Sequence, residues 1–126
     1  MKKEVVKTQK VLSPMQTSVP AVKVGPFVFC TGQVGRFAET GRLGLGLEEQ
    51  VKQTIQNIKT ILEAAGTSLE NVVKRTVYLR DGKDVYRAYK VIEELWPYPC
   101  ASTSVESGLL GLDLLIEIEV IAVIPE

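Results

Sequence analysis

Two stretches near the end of the chain decide its fold, Pro99-Cys100-Ala101-Ser102-Thr103-Ser104-Val105-Glu106 and Leu115-Ile116-Glu117-Ile118-Glu119-Val120-Ile121-Ala122. From Leu114 to Ile124 every second residue is apolar, which predicts a long strand with one buried face. Ala101 to Val105 predicts a shorter strand, and residues 108–113 between the two predict a loop. The chain is therefore expected to end in two strands.

The N-terminal part of the chain predicts strands followed by a loop. Residues alternate loosely from Val5 to Val28, and Pro14 and Pro20 interrupt the pattern. Phe27 to Thr31 is apolar and aromatic, which predicts a well-defined strand. Five of the ten glycines lie from Gly32 to Gly46, so this segment is expected to be a loop.

Two helices separated by a strand are expected in the middle of the chain. Glu48 to Ala65 has apolar residues at helical spacing and is followed by Gly66, which predicts a helix that ends there. Val72 to Leu79 is rich in β-branched residues and predicts a strand, and Asp84 is expected to cap a second helix that continues to about Trp96. The residues expected on the inner faces are Val51, Ile55, Ile58, Leu62 and Ala65 on the first helix and Val85, Tyr89, Ile92 and Trp96 on the second. The predicted element order is β-β-β-α-β-α-β-β.

The predicted sheet has two apolar faces. Strands joined through single helices are most simply parallel, and right-handed crossovers place both helices on the same side. In the Phe27 to Thr31 strand, however, the Phe27/Phe29 row and the Val28/Cys30 row are both apolar. The face without helices needs a cover, which predicts an oligomer. The alternative is a monomer in which the N-terminal segment and the glycine-rich loop fold over that face.

Composition excludes several classes of function. The 126 residues fit a single domain, 1–126, and the 15 basic and 15 acidic side chains create no net positive field, so nucleic-acid binding is not favoured. Residues 1–4 show no apolar signal core and no apolar run is long enough to span a bilayer, so a cytoplasmic protein without membrane contact is expected. With no histidine, and with Cys30 and Cys100 far apart, the sequence predicts no metal site and no cofactor.

The absence of histidine also bears on nucleophilic catalysis. A Ser-His-Asp triad is excluded, and a cysteine nucleophile would lack its base. Cys100 is therefore expected to be an unreactive cysteine and Cys30 a core residue.

Two glutamates share one face of the last strand. Residues two apart on a strand are separated by about 6.5 to 7 Å, so Glu117 and Glu119 would raise one another's pKa if both are shielded from water. A carboxylate in that position is suited to positioning a water molecule as a base. The alternative is that one or both form structural ion pairs with Lys74 or Arg75 on a neighbouring strand.

The two C-terminal stretches resemble the signature of the Rid (YjgF, reactive intermediate deaminase) family, Pro-Ala-Arg-Ser-x-Val-Glu followed by Ile-Glu-Ile-Glu-Ala-Ile-Ala. Gly25 to Gln33, Asn57 to Gly66 and Val73 to Asp81 are similar to the family's strand ending in Ser-Gly-Gln, its helix ending in Glu-Ala-Ala-Gly and the strand that follows. This resemblance covers nearly the whole chain. It implies an α+β, chorismate-mutase-like mixed sheet with two helices on one face, assembled as a homotrimer around a central barrel.

The resemblance also implies a pocket between subunits. In the family's deaminases an arginine holds the substrate carboxylate, and a glutamate positions the water that hydrolyses an imine to a ketone and ammonia. The alignment places that glutamate at Glu119, and the backbone around Thr31 and Gly32 is expected to line the pocket.

Several positions depart from the family pattern. The arginine falls on Ser102, whose hydroxyl carries no charge, and a pocket tyrosine falls near Ser18. Ser104 stands where many members have cysteine, and together with Thr103 these hydroxyls are expected to bind a neutral or hydroxyl-bearing group. Arg75 is a second source of the missing charge, or else an ion-pair partner.

Three functions of different classes remain open. The first is a hydrolytic deaminase acting on an enamine or imine, with Glu119 positioning water while Ser102, Ser104 and Thr31 shape the site. The second is a non-catalytic binder or sensor of a small metabolite such as an imine, an enamine or a keto acid. The third, implied by the resemblance, is a role in translation inhibition or ribonuclease activity, against which the balanced charge argues.

Overall fold

The computed structural model describes residues 1–13 and 15–126, so Pro14, expected to interrupt the N-terminal pattern, lies outside the described residues. The predicted order of strands and helices is confirmed. The strands are β1 (Lys3–Val6), β2 (Ala21–Val24), β3 (Phe27–Cys30), β4 (Val72–Leu79), β5 (Ala101–Glu106) and β6 (Ile116–Val123), and the α-helices are α1 (Gly46–Ala65) and α2 (Val85–Leu95). Short 3-10 helices, Leu69–Asn71 and Gly82–Asp84, precede β4 and α2.

The strands form one mixed sheet in the order β1-β2-β3-β6-β4-β5. The β4–β5 pair is parallel, and the other neighbouring pairs are antiparallel. Because β3 and β4 are both antiparallel to β6, they run parallel to each other, as the sequence predicts for strands joined through a single helix. The last strand of the chain thus lies in the middle of the sheet, and β5 forms one edge.

Both helices pack against the same face of the sheet. The apolar stripe predicted for α1 is buried throughout, and Gly66 ends the helix with a left-handed backbone, φ 91°. On α2, Ile92 and Trp96 are buried as expected, whereas Val85 and Tyr89 are half-buried because Ala88 and Val91 face the core more directly. Cys30 lies in this core, where burial raises the pKa of its thiol to about 12.

The predicted capping role of Asp84 is wrong. Asp84 belongs to the 3-10 turn that continues directly into α2, and its carboxylate contacts the Arg87 guanidinium at 3.2 Å instead of a backbone N–H. The side chain that accepts a backbone hydrogen bond here is Asp81, from the N–H of Lys83 at 2.9 Å. The 3-10 turn moves the capping position upstream.

Buried polar side chains on α1 fix the loops around it. Gln50 donates to the carbonyls of Gly44 (3.2 Å) and Asp113 (3.0 Å) and accepts from the N–H of Leu115 at 2.9 Å. Asn57 donates to the carbonyls of Val34 and Arg36, both at 3.0 Å. The segments before α1 and before β6 are therefore held at defined positions beside the end of β3.

The sheet face without helices is apolar and open, as predicted. Phe27 and Phe29 are each more than 40 % exposed, and on this face they stand beside Val123 and Ile121 of β6. Strand β1 extends the sheet by pairing with β2, so the N-terminal strand does not cover this face. In the part of the chain that is described, neither helix is long and apolar enough to cross a membrane.

Candidate functional site

A depression of about 470 Å³ opens where β3 ends. Its walls include Ser18 from the segment before β2, Thr31 and Gly32 after β3, and Glu117 from β6, with Leu110 at the rim. Two of the predicted pocket elements, Ser18 and the Thr31-Gly32 backbone, are thus brought together.

Backbone hydrogen bonds position the Thr31–Gln33 segment. Thr31 donates its N–H to the carbonyl of Pro20 at 2.9 Å and its hydroxyl to the carbonyl of Val19. Gln33 exchanges two backbone hydrogen bonds with Ile118, at 2.8 and 3.0 Å. The segment is therefore held alongside β6, next to the residue that precedes Ile118.

Glu117 is the acidic group of this depression. It is half-buried, and burial, followed by the negative charge of Glu119, raises the pKa of its carboxyl group. A Cβ atom at Gly32 would collide with the Glu117 carboxylate, so the absence of a side chain at Gly32 lets the carboxylate lie against the backbone. This arrangement suits a base that accepts a proton from a bound water molecule.

Glu119, which the alignment puts in the pocket, is placed elsewhere. Its Oε1 accepts a hydrogen bond from the Tyr78 hydroxyl at 2.8 Å, and this bond raises the pKa of Tyr78. Glu119 lines a separate depression of about 200 Å³ with Phe29, Lys74 and Thr76. Glu117, not Glu119, therefore lies beside Thr31 and Gly32, which corrects the expectation for Glu119.

The position of Tyr78 accounts for this difference. Tyr78 pairs with Glu117 in the β4–β6 register, yet its hydroxyl reaches the diagonal neighbour, Glu119. Glu119 is therefore bound on the β4 side, and Glu117 is left to contact Gly32. Among the described residues, neither Lys74 nor Arg75 lies within 4 Å of either carboxylate, so the alternative of structural ion pairs is not observed.

The remaining predicted site residues form a second group at the edge strand β5. The Tyr89 hydroxyl lies 2.9 Å from the Ser102 hydroxyl and 2.8 Å from that of Ser104. Arg75 donates from Nε to the Ser102 hydroxyl at 2.9 Å. Thr103 alternates with these serines along the strand and belongs to the opposite face of the sheet, next to Thr76.

The two groups do not meet within one protomer. Strand β4 separates β5 from β6 in the sheet, and the wall of the 470 Å³ depression includes no residue of β5. All six residues of β5 are exposed.

Arg80 was not singled out by the sequence, but it shapes the rim of the depression. Its guanidinium donates to the carbonyls of Leu114 (2.6 Å), Leu109 (3.2 Å) and Gly111. These bonds fold the loop before β6 so that Leu110 stands at the rim. The dense cluster of Gly and Leu in residues 108–115 indicates a loop, but nothing local in the sequence indicates its anchor.

Known proteins resemble this chain along almost its whole length. The family model described as endoribonuclease L-PSP matches residues 8–124. A RutC family protein of Pyrococcus abyssi is 44 % identical over 124 residues, covering 97 % of this chain and 98 % of that protein. The chloroplastic Reactive Intermediate Deaminase A of Arabidopsis thaliana is 34 % identical over 124 residues, covering 97 % of this chain and 66 % of that protein.

A solved structure agrees with the same assignment. Escherichia coli TdcF with bound serine superimposes with a TM-score of 0.84 at 28 % identity, covering 95 % of this chain and 98 % of that one. A match of this length in both sequence and fold extends well beyond the C-terminal signature. The chain therefore belongs to the Rid/YjgF family, whose model carries the description endoribonuclease L-PSP.

Proposed function

We propose that this protein is a hydrolytic deaminase that converts an enamine or imine to a ketone and ammonia, with Glu117 positioning the attacking water. The observation that carries the proposal is the half-buried Glu117 carboxylate against Gly32, in a depression large enough for a small metabolite. The Arabidopsis relative, named a reactive intermediate deaminase, supports the reaction class.

The chemistry requires one base that also returns a proton. Glu117 takes a proton from water as the water oxygen bonds to the imine carbon, and the electron pair of the C=N bond moves to nitrogen. The nitrogen of the resulting carbinolamine is protonated, the C–N bond breaks, and ammonia leaves with formation of the C=O bond. An enamine first gains a proton at its β-carbon to become the imine. A raised pKa suits Glu117 to both directions of proton transfer.

We further propose that the small-molecule cleft lies between subunits of a homotrimer. The open face around Phe27 and Phe29 is an apolar surface that an oligomer would cover. The exposed edge strand β5 presents Ser102 and Ser104 outward from each protomer. In an assembly, the β5 group of one subunit would complete the Glu117 depression of the next.

A second candidate function is a non-catalytic binder of a small metabolite. The Ser102 hydroxyl occupies the aligned position of the family's substrate-binding arginine, and the relative TdcF is known with serine bound. Such a protein would bind its ligand saturably without turnover.

The test is ammonia release from freshly generated 2-aminoacrylate and a panel of bulkier imines. Glu117→Gln is expected to lower kcat by about 100-fold or more, because the amide cannot accept the proton from water. Glu119→Gln is the matched control, since it makes the same chemical change two residues along the strand and should retain most of the activity. Full activity in Glu117→Gln, or loss only in Glu119→Gln, would refute the proposed role. Ligand binding by the wild-type protein without turnover would favour the second candidate.

A further inference from the structure

The guanidinium of Arg75 is buried without an anionic partner. Arg75 is 8 % exposed, and its Cζ lies 4.7 Å from the centroid of the Trp96 ring and 5.5 Å from that of the Tyr89 ring. No carboxylate of the described residues lies within 4 Å of it. Its Nη1 is the one buried side-chain nitrogen or oxygen, in the described part of the chain, that has no hydrogen-bond partner.

This arrangement is costly unless an anion completes it. Removing a charged group from water carries a large penalty, which a pair of aromatic rings offsets only in part. An apolar side chain of similar length would pack between the same two rings without that penalty. The orphaned nitrogen therefore indicates a partner that binds from outside the protomer.

The geometry around Arg75 indicates the chemistry of that partner. Because Nε is already bonded to Ser102, the two Nη atoms remain as an end-on pair of donors, which matches the two oxygens of a carboxylate. The side chain also forms part of the wall of a depression of about 390 Å³ next to the start of β5, with Trp96, Tyr98 and Cys100. Glu93 lines this depression too, but it lies beyond 4 Å from the guanidinium.

We infer that Arg75 recognises the carboxylate of the ligand, so that the substrate class is an imine or enamine of a 2-oxo acid rather than a neutral imine. This inference rests on the proposed function for the imine group but not for the carboxylate. Arg75 stands opposite Ser102 in the β4–β5 register, and its charge reaches the point toward which the side chain of Ser102 is directed. Ser102 then orients the guanidinium, and a neighbouring strand supplies the charge that position 102 lacks.

The experiment measures binding, which does not depend on turnover. Isothermal titration of the intact protein compares 2-oxobutanoate with 2-butanone, its neutral counterpart. Wild type is expected to bind the acid and to bind the ketone much more weakly. Arg75→Met should weaken binding of the acid by about 10- to 100-fold, the effect of losing charged hydrogen bonds. Arg75→Lys keeps the charge but not the paired donors and should give an intermediate loss.

Two further variants distinguish recognition from structural support. Arg87→Met removes a positive charge from an exposed helix surface, and it should leave the binding of 2-oxobutanoate unchanged. Arg75→Met combined with Ser102→Arg moves the guanidinium to the adjacent strand and should restore a substantial part of the affinity. If Arg75→Met does not fold, the loss in Arg75→Lys relative to Arg87→Met provides the measurement.

Several outcomes would overturn the inference. These are equal binding of the acid and the ketone, no binding of the acid by wild type, or unchanged binding of the acid in the Arg75 variants. A lower sedimentation mass for Arg75→Met, with Arg87→Met unaffected, would show that a carboxylate of another subunit pairs with Arg75 and would also refute it. Arg75-dependent binding of the acid without imine hydrolysis would support the inference while refuting the deaminase proposal.

Discussion

Replacing Gly32 by alanine separates the position of Glu117 from the stability of the fold. The new Cβ would collide with the Glu117 carboxylate and lie 3.2 Å from its Cδ. Gly32 is not among the glycines with positive φ, so alanine suits its backbone. The obstructed atoms are the far end of a flexible side chain, which swings aside at little cost. We therefore expect the free energy of unfolding to change by no more than about 1 kcal/mol.

The same displacement should be damaging to catalysis. A carboxylate displaced by about 1 Å no longer holds water in line with the imine carbon, and misplacement on that scale costs about 100-fold in rate. The expected result for Gly32→Ala is a kcat about 100-fold below wild type in a protein of nearly normal stability. Ammonia release and urea denaturation measure the two quantities.

Gly35→Ala is the matched variant with the opposite expectation. Its Cβ would lie 2.5 Å from the carbonyl oxygen and 2.7 Å from the Cα of Gln50, backbone atoms of α1 that cannot move without the helix. We expect it to destabilise the protein by about 1 to 3 kcal/mol. At Gly108 a Cβ meets nothing within 4 Å, so Gly108→Ala should be close to neutral. Full turnover in Gly32→Ala, or a loss of stability equal to that of Gly35→Ala, would refute the reasoning.

Two further predictions concern pH and assembly. Because burial and the charge of Glu119 raise the pKa of Glu117, kcat/KM should rise with pH through that raised pKa as the base form appears; Glu119→Gln removes the second cause and should move this acid limb to lower pH, whereas an unchanged limb would contradict the coupling. Phe29→Asp places a charge on the open sheet face and should reduce the mass from that of a trimer toward the 13.9 kDa protomer in sedimentation equilibrium; a trimeric Phe29→Asp would show that this face is not the interface.

Local periodicity predicts the elements well because each one buries a single face. The strand β4 is observed over the predicted residues 72–79, and the helix predicted from Glu48 begins two residues earlier, at Gly46. Sheet order is a different problem, because β6 is inserted between β3 and β4 by contacts distant in sequence. Nothing in the alternation of residues 114–124 distinguishes a central strand from an edge strand with one covered face.

The buried polar residues of α1 illustrate a second limit. Gln50 and Asn57 interrupt no apolar stripe, so the pattern assigns them to the solvent-facing side. They are buried because their partners are backbone carbonyls and an N–H of loops that fold over the helix from 6 to 65 residues away in sequence. Polar residues with remote backbone partners leave no periodic signal, and these are the ones that hold the rim of the Glu117 depression.

The candidate site shows why the aligned positions of a family do not carry its chemistry over one by one. Glu117 and Glu119 occupy the same face of one strand, and a hydroxyl on the adjacent strand, that of Tyr78, determines which of them contacts Gly32. The same holds at the edge, where position 102 has lost its charge but the residue opposite it on β4 carries one. In a sheet, side chains in register on adjacent strands reach the same space, so a functional group has more than one sequence position from which to act. The pair formed by positions 75 and 102, rather than position 102 alone, is therefore the unit that determines whether this chain recognises an acid.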